Sequence, residues 1–195
     1  MARCRQPGFW SLSRFWIFCR RSSALTYPVN HGGVALLAAP GTSLSLLSTG
    51  PSSSTFEGVA SYATTGRSRA AVVVVYRPGA QSVAAQFFDD LSPLLERLVV
   101  LSVPLFIIDD FNVRLDRDVR HAEQLRSVLE AFGLQISRTG PTHRHGGVLN
   151  LVASRDDVPV SVINVERSDH SLLHWPVVSD QPTTPIVTVH ARSWR

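Results

Sequence analysis

The sequence predicts a mixed α+β domain in which short strands and two amphipathic helices form packed layers. The chain has 195 residues, enough for one sizeable core, and 44% of them are hydrophobic. Apolar runs of strand length alternate with two segments in which apolar residues recur every three or four positions. Several strands are close enough in sequence to form hairpins, which favours a layered α+β arrangement.

The first predicted elements are strands. A strand at 34–39 is followed by a Ser-rich stretch, 42–55, that predicts a strand end, a turn and a loop. A Thr-Gly turn separates the next two strands, 57–63 and 70–76. The second of these is mostly Val, which is typical of a strand buried on both faces.

Two helices and further strands follow. Apolar spacing predicts a helix over 82–98, and Pro93 within it is expected to kink or divide it. A buried strand, 101–108, precedes a second helix, whose apolar face runs from Ala122 to Phe132 and which Gly133 ends. Three further short strands are predicted, at 134–137, 148–153 and 158–165.

Charge divides the chain unevenly. The formal net charge is +4, yet the first acidic residue is Glu57, so the five arginines before it give residues 1–56 a net charge of +5. The basic pI therefore does not indicate a basic nucleic-acid-binding face on the main domain. We divide the chain into an Arg- and aromatic-rich leader (1–30), a main domain (31–175) and a linker or tail (176–195).

The leader and the cysteines exclude several classes of protein. Cys4 and Cys19 are too few for a disulfide scaffold or a Cys-rich zinc module. The apolar runs of the leader are too short to span a bilayer or to form a secretory signal, so no membrane partner is expected. Its Arg- and Ser-rich composition resembles a mitochondrial transit peptide, which leaves a mitochondrial location as an alternative.

Polar residues gather at the ends of the predicted strands. They are Tyr76, Arg77, Asp109, Asp110, Asn112, Thr142, His143, Asn150, Ser168, Asp169 and His170. Carboxylates, amides and an imidazole at one sheet edge can supply oxygen ligands for Mg²⁺, donors to phosphoryl oxygens and a proton acceptor for water. The pattern predicts metal-assisted phosphodiester hydrolysis, although packing and loop hydrogen bonding are the alternative for Tyr76, Thr142 and Ser168.

Five motifs occur in an order that carries a family resemblance. They are Gly32-Gly33-Val34-Ala35-Leu36, Val75-Tyr76-Arg77-Pro78, Asp110-Phe111-Asn112, Pro141-Thr142-His143 with Gly146-Gly147-Val148-Leu149-Asn150, and Ser168-Asp169-His170. Together they resemble the endonuclease/exonuclease/phosphatase family, and their spacing is most similar to the endonuclease domain of non-LTR retrotransposons. The similarity covers residues 31–175.

The resemblance implies a fold and an activity. The fold is a four-layer α/β/β/α sandwich of the DNase I-like type, here incomplete at the N-terminus. The activity is Mg²⁺-dependent nicking of DNA by a water nucleophile. DNA is the implied partner, a nuclear location follows from that substrate, and the domain would belong to a longer polyprotein with a reverse transcriptase.

The resemblance also implies roles for single residues. Asp110 would bind the metal and position or deprotonate the water, Asn112 would hold the water and the phosphate, and Asp169 would lie near the metal. His170 would act at the scissile phosphate, with Asn150 as its partner. The residues implied to contact phosphate or DNA, or to support the surrounding loops, are Tyr76, Arg77, Thr142 and Ser168.

Three departures from the family pattern predict a degraded site. The family's metal-binding Glu precedes the Gly-Gly segment, whereas Glu57 follows it and is expected on an adjacent strand. Asn150 replaces the Asp that pairs with the family's His, a change expected to fix the wrong imidazole tautomer and, by analogy with the serine protease triad, to cost about 10⁴ in rate. Asp109 replaces a Gly and is expected to raise the pKa of its neighbour.

Three alternatives stay open beside a truncated copy that is weakly active or inactive. The first is an active endonuclease in which Asp109 or Asp116 supplies the missing ligand. The second is a non-catalytic remnant that binds nucleic acid through its leader. The third is a phosphoesterase of the same superfamily that acts on another substrate, selected in part by the loop 141–145.

Overall fold

The computed structural model describes residues 15–18, 34–47, 53–79, 82–165, 169–177 and 186–189. Its helices and strands, in chain order, are β1 Phe15–Phe18, β2 Ala35–Ala38, β3 Thr42–Leu46, β4 Glu57–Thr65, β5 Ser68–Tyr76, α1 Ala85–Val99, β6 Leu105–Asp110, α2 Val119–Ala131, β7 Gln135–Ile136, β8 Asn150–Ser154, β9 Ser161–Ile163, β10 Leu172–Pro176 and β11 Ile186–Val189. Strands and helices are interleaved, which confirms the α+β class.

The main sheet has six strands in the order β3-β4-β5-β6-β8-β7. All its neighbours are antiparallel except β5 and β6, which are parallel. Parallel neighbours need a long crossover connection, and α1 provides it. Because of that crossover, the carboxyl ends of β5 and β6 lie at the same edge of the sheet.

The helices cover one face of this sheet. In β5, Ala71, Val73 and Val75 face them and are buried with the apolar stripe of α1. Pro93 does not divide α1, which is one helix from Ala85 to Val99. Six side chains on both sides of the proline are buried in the core, and this packing outweighs one lost backbone hydrogen bond. They are Phe87, Phe88, Leu91, Leu94, Leu95 and Leu98.

A smaller layer of strands covers the opposite face. Val72 and Val74 of β5 pack with Leu173 and Trp175 of β10, so β5 is buried on both faces, as its Val run predicts. β10 pairs with β9 and β11, and β1 pairs with β2. The described residues thus form three of the four predicted layers. None of their helices has the length and apolarity needed to cross a membrane.

Three strands lie within segments that the sequence pattern left without structure. β1 falls inside the predicted leader, β10 follows the last predicted strand, and β11 falls inside the predicted linker or tail. Each is held by antiparallel pairing, β1 with β2 and β11 with β10. Backbone pairing of this kind depends on a neighbouring strand more than on the segment's own residue pattern, so the sequence carried little sign of it.

Candidate active site

The candidate site lies at the edge of the main sheet where β5 and β6 end and β8 begins. Asp110 is the last residue of β6, and its register partner on β8 is Asn150. The backbone N–H of Arg77, directly after β5, donates to the carbonyl of Asp110 at 3.0 Å. The sheet itself therefore brings three of the motif residues together.

A tight turn after β6 positions Asp110 and Asn112. One Asp110 carboxylate oxygen, Oδ1, accepts the backbone N–H of Asn112 at 3.1 Å. Asn112 has a φ of +47°, a left-handed conformation that Asn tolerates better than most residues. Its Nδ2 donates to the Arg77 carbonyl at 2.7 Å, so the side-chain amide fastens the turn to β5. The expected contact of Asn112 with water and phosphate stays a prediction.

The side chain of Arg77 holds the same turn through its guanidinium group. Its guanidinium donates to the carbonyls of Phe111 (2.9 Å), Pro78 (3.2 Å) and Asn112 (2.6 Å), and the residue is only 4% exposed. This binding to main-chain oxygens makes Arg77 a positioning residue for the Asp110 turn. Its implied contact with DNA stays a prediction.

Gly79 makes room for the turn. A Cβ at this position would lie 2.8 Å from Oδ1 of Asn112. A side chain at position 79 would therefore force the Asn112 amide, which fastens the turn to β5, to shift.

Thr142 fixes the loop that carries the histidines. It is fully buried, and its Oγ1 accepts the backbone N–H groups of Leu149 (2.9 Å) and Asn150 (3.0 Å). Its carbonyl accepts the N–H of Ser171 at 2.8 Å, next to a β-bridge between His143 and His170. Thr142 thus supports the loop, which is the second of the two roles considered from the sequence.

His170 contacts both strand-end residues. Its Nδ1 lies 2.9 Å from Oδ1 of Asn150, and its Nε2 lies 3.9 Å from Oδ2 of Asp110. Because an amide oxygen only accepts, this contact fits the tautomer that has its proton on Nδ1 and the lone pair of Nε2 toward Asp110. The expected effect of Asn150 on the tautomer stays a prediction. What Asn150 lacks is the negative charge that would stabilise an imidazolium, and its buried Nδ2 has no hydrogen-bond partner.

Burial sets the charge state of Asp110. It raises the pKa of Asp110 to about 7, against the opposing effects of hydrogen bonds from Asn112 and of the positive charges of Arg77 and His143. A carboxyl group with this pKa exchanges a proton near neutral pH, as a general base or acid must. The side chain of Asp109 lies outside the described structure, so its expected effect on Asp110 stays a prediction.

His143 joins the site although no role was assigned to it from the sequence. Its ring meets that of His170 edge to face, with the ring centres 4.9 Å apart, and its Nε2 lies 3.8 Å from Oδ2 of Asp169. Burial, followed by the positive charge of His170, lowers the pKa of His143. The one feature of the sequence that pointed to His143 was its position directly after Thr142 in one of the five motifs.

The remaining predicted residues fall around this centre. Tyr76 is buried at the end of β5, opposite Glu57, which begins the adjacent strand β4 as expected. Burial raises the pKa of Glu57, whose Oε2 has no hydrogen-bond partner.

The carboxylate of Asp116, one of the two alternative metal ligands, has its partners in another loop. It binds Arg114, Arg117 and the N–H of Val148. Ser168 lies outside the described residues.

The group of possible metal ligands among the described residues fits magnesium poorly. Among the described residues, the group that could hold an ion is His143, Asp169 and His170, whose ligand atoms lie within 4.8 Å of one another. Mg²⁺ requires near-octahedral coordination by oxygen, whereas two of these three ligands are imidazole nitrogens. The donor set therefore does not fit the implied ion.

Solved structures share this architecture, although no family model and no curated protein matches the chain. The endonuclease domain of TRAS1, a telomere-specific non-LTR retrotransposon, has a TM-score of 0.65 at 12% identity, over 86% of this chain and 81% of that one. An endonuclease/exonuclease/phosphatase family protein from Leptotrichia buccalis has a TM-score of 0.53 at 14% identity, over 76% of this chain and 65% of that one. The chain therefore has the DNase I-like fold of the endonuclease/exonuclease/phosphatase family, as its five ordered motifs predict.

Proposed function

We propose that the chain is a retrotransposon-type endonuclease domain whose DNA-nicking chemistry is degraded, leaving it weakly active or inactive. One observation carries the proposal: His170 contacts both Asp110 and a neutral amide, Asn150. The first contact supports a phosphodiesterase ancestry. The second supports the loss of activity.

The retained groups can still handle a proton. Asp110, with its pKa near 7, can accept a proton from a water molecule at the strand edge. The Nε2 lone pair of His170 faces the same carboxyl group and can orient that water or take its proton. These two residues would perform the hydrolytic step on a phosphodiester.

The stabilising groups are weaker than this chemistry needs. When His170 gains a proton, the Asn150 amide holds the ring but supplies no countercharge. The donor set also fits Mg²⁺ poorly, so we derive no step from that ion. Protonated His170 would therefore have no countercharge at Nδ1, where the family carries an Asp.

DNA is the proposed substrate. The support is the likeness to the endonuclease domain of a telomere-specific retrotransposon, together with the convergence of the motif residues. A nuclear location and a place in a polyprotein beside a reverse transcriptase are proposed on the same ground. The sequence-independent part of DNA binding would fall steeply with salt concentration.

Nicking of supercoiled plasmid in Mg²⁺ tests the proposal. The full chain is compared with Asn150→Asp, His170→Ala and a control, Gln135→Glu, which adds a negative charge on exposed β7. We expect the wild type and the control to nick at or near background and Asn150→Asp to nick at least about tenfold faster, since a carboxylate restores the missing charge. Adding His170→Ala to Asn150→Asp should abolish the gain.

Two results distinguish the outcomes. Strong nicking by the wild type that His170→Ala removes would contradict the degraded state and show a complete site. No nicking by any variant would agree with an inactive chain and place its main defect in metal binding rather than in Asn150.

A further inference from the structure

We propose that His143, Asp169 and His170 form a binding site for one divalent transition-metal ion, such as Zn²⁺ or Co²⁺, in preference to Mg²⁺. The inference rests on the proposed function, because it takes this sheet edge to be the reaction centre. It adds the kind of ion that the site would bind. It also gives a role to His143, which belongs to one of the five motifs but has no part in the proposed mechanism.

The backbone already holds the three residues together. A β-bridge joins His143 to His170, and the N–H of Arg144 donates to the carbonyl of Asp169 at 2.7 Å. The ligand atoms lie within 4.8 Å of one another, and the Nε2–Oδ2 distance between His143 and Asp169 is 3.8 Å. Ligands about 2.0–2.2 Å from a tetrahedral zinc ion are roughly 3.4 Å apart, so side-chain rotation is sufficient to close the site.

His170 is already oriented as a ligand. Its Nδ1–H is bound by the Asn150 carbonyl oxygen at 2.9 Å, which directs the Nε2 lone pair outward. Metal-binding histidines characteristically donate their other N–H to such an oxygen. The neutral amide that weakens proton chemistry is therefore an adequate outer partner for a metal ligand.

His143 needs a small rearrangement. Its Nδ1 now accepts the N–H of His145 at 3.2 Å in an exposed loop, so the proton lies on Nε2. Binding through Nε2 requires the proton to move to Nδ1 and this one hydrogen bond to be lost. That loss is small beside the free energy that a bound transition-metal ion releases.

The ligand types set the choice of ion. Two imidazoles and one carboxylate suit Zn²⁺, Co²⁺, Ni²⁺ or Fe²⁺, whereas Mg²⁺ prefers oxygen ligands. The carboxyl of Asp110, 3.9 Å from Nε2 of His170, adds negative charge beside the ion. Three protein ligands also leave a coordination position for water.

Cobalt titration tests the site without depending on activity. The full chain, with Cys4→Ser and Cys19→Ser to remove competing thiols, is freed of metal with a chelator and titrated with Co²⁺ while its visible absorption is recorded. We expect a 1:1 complex that Zn²⁺ displaces and that millimolar Mg²⁺ does not. His143→Ala and His170→Ala should each weaken binding by about tenfold or more.

Matched variants make the result decisive. His121→Ala removes a histidine that binds Asp118 at the start of α2 and should leave Co²⁺ affinity unchanged. His143→Gln, which keeps a polar side chain in the loop, should weaken binding as His143→Ala does. Thermal unfolding of every variant shows that it is folded.

Three results would overturn the inference. They are the absence of a 1:1 cobalt spectrum, unchanged binding by both His143 variants, and displacement of Co²⁺ by Mg²⁺ at similar concentration. Since the titration reads binding alone, its failure leaves the Mg²⁺ nicking experiment to decide the proposed function. A chain that binds Co²⁺ but never nicks DNA would keep this inference and show the degraded state.

Discussion

The two halves of the candidate site are built in different ways. The Asp110 turn, residues 110–112 with Arg77 beneath it, is closed by short hydrogen bonds to main-chain groups. The histidine cluster of His143, Asp169 and His170 is held mainly by its backbone, and the imidazole Nε2 of His143 lies 3.8 Å from the carboxylate of Asp169, which is longer than a hydrogen bond. Hydrogen bonds within the turn fix its shape, whereas the cluster brings three ligand atoms within 4.8 Å of one another.

The two halves therefore differ in what they contribute: the turn stabilises the fold, and the cluster supplies groups for chemistry. Side chains that bind buried main-chain oxygens stabilise the fold whether or not the protein reacts with anything. Side chains that only approach each other contribute little stability and depend on a substrate or an ion. A chain that loses its activity would therefore keep the turn longer than the cluster.

The largest expected effect is on the turn. Arg77→Ala would leave three carbonyls without their charged donor, and we expect it to lower the free energy of unfolding by about 3–5 kcal/mol. Urea denaturation of the full chain measures it. The control is Arg117→Ala, whose exposed side chain lies 3.5 Å from Asp116 and should contribute less than about 0.5 kcal/mol. Equal losses in the two variants would contradict the structural role of Arg77.

An intermediate effect is expected from the pH dependence of stability. The folded-state pKa of Asp110, about 7, lies above its unfolded value, so the folded chain binds the extra proton. Below pH 4 this proton contributes on the order of 2–4 kcal/mol to the free energy of unfolding, and the contribution is lost as pH rises through 7.

Asp110→Asn isolates this contribution. We expect the variant to be more stable than the wild type at pH 8.5 in chelator and to lose less stability between pH 5 and pH 8.5. Urea denaturation at both pH values measures the difference, and comparison with the wild type cancels the opposite slope from His143, whose pKa is lowered. If the stability of the variant and that of the wild type changed in parallel with pH, the prediction would be wrong, because burial would then not raise the pKa of Asp110.

The smallest effect on stability is expected from the cluster. His143→Ala removes a ring contact with His170 and a hydrogen bond to His145 in an exposed loop, so we expect a loss of about 1 kcal/mol or less. The same urea experiment measures it. A loss as large as that of Arg77→Ala would erase the distinction between the two halves.

The sequence was most informative where one physical cause dominates. The Val run of β5 predicted a strand buried on both faces, and the apolar spacing of α1 predicted its core side. The order of the motifs predicted which side chains meet, because strand register alone brings Asp110 and Asn150 together. These features follow from local residue patterns and from the order of the elements.

The sequence was silent where contacts depend on the backbone of distant segments. An arginine that binds three carbonyls has no sequence signature, so the contacts of Arg77 with the turn were not predicted, and its implied contact with DNA stays a prediction. The tautomer of His170 depends on which amide atom of Asn150 faces the ring, and no residue pattern specifies that orientation, so the expected effect of Asn150 stays a prediction. The role of His143 emerged only when the loop 141–145 was seen against Asp169.

The single parallel junction of the main sheet has a consequence for the order of folding. β4 and β5 form a hairpin with pairing up to Thr65 and Ser68, so they close a very short loop, whereas β5 and β6 meet only after the whole of α1 has been spanned. Pairing of β6 with β8 spans a further helix, and closing longer loops costs more chain entropy. We therefore expect the hairpin to form early and the edge that joins Asp110 to Asn150 to form late, so that damage at that edge speeds unfolding while leaving the folding rate nearly unchanged.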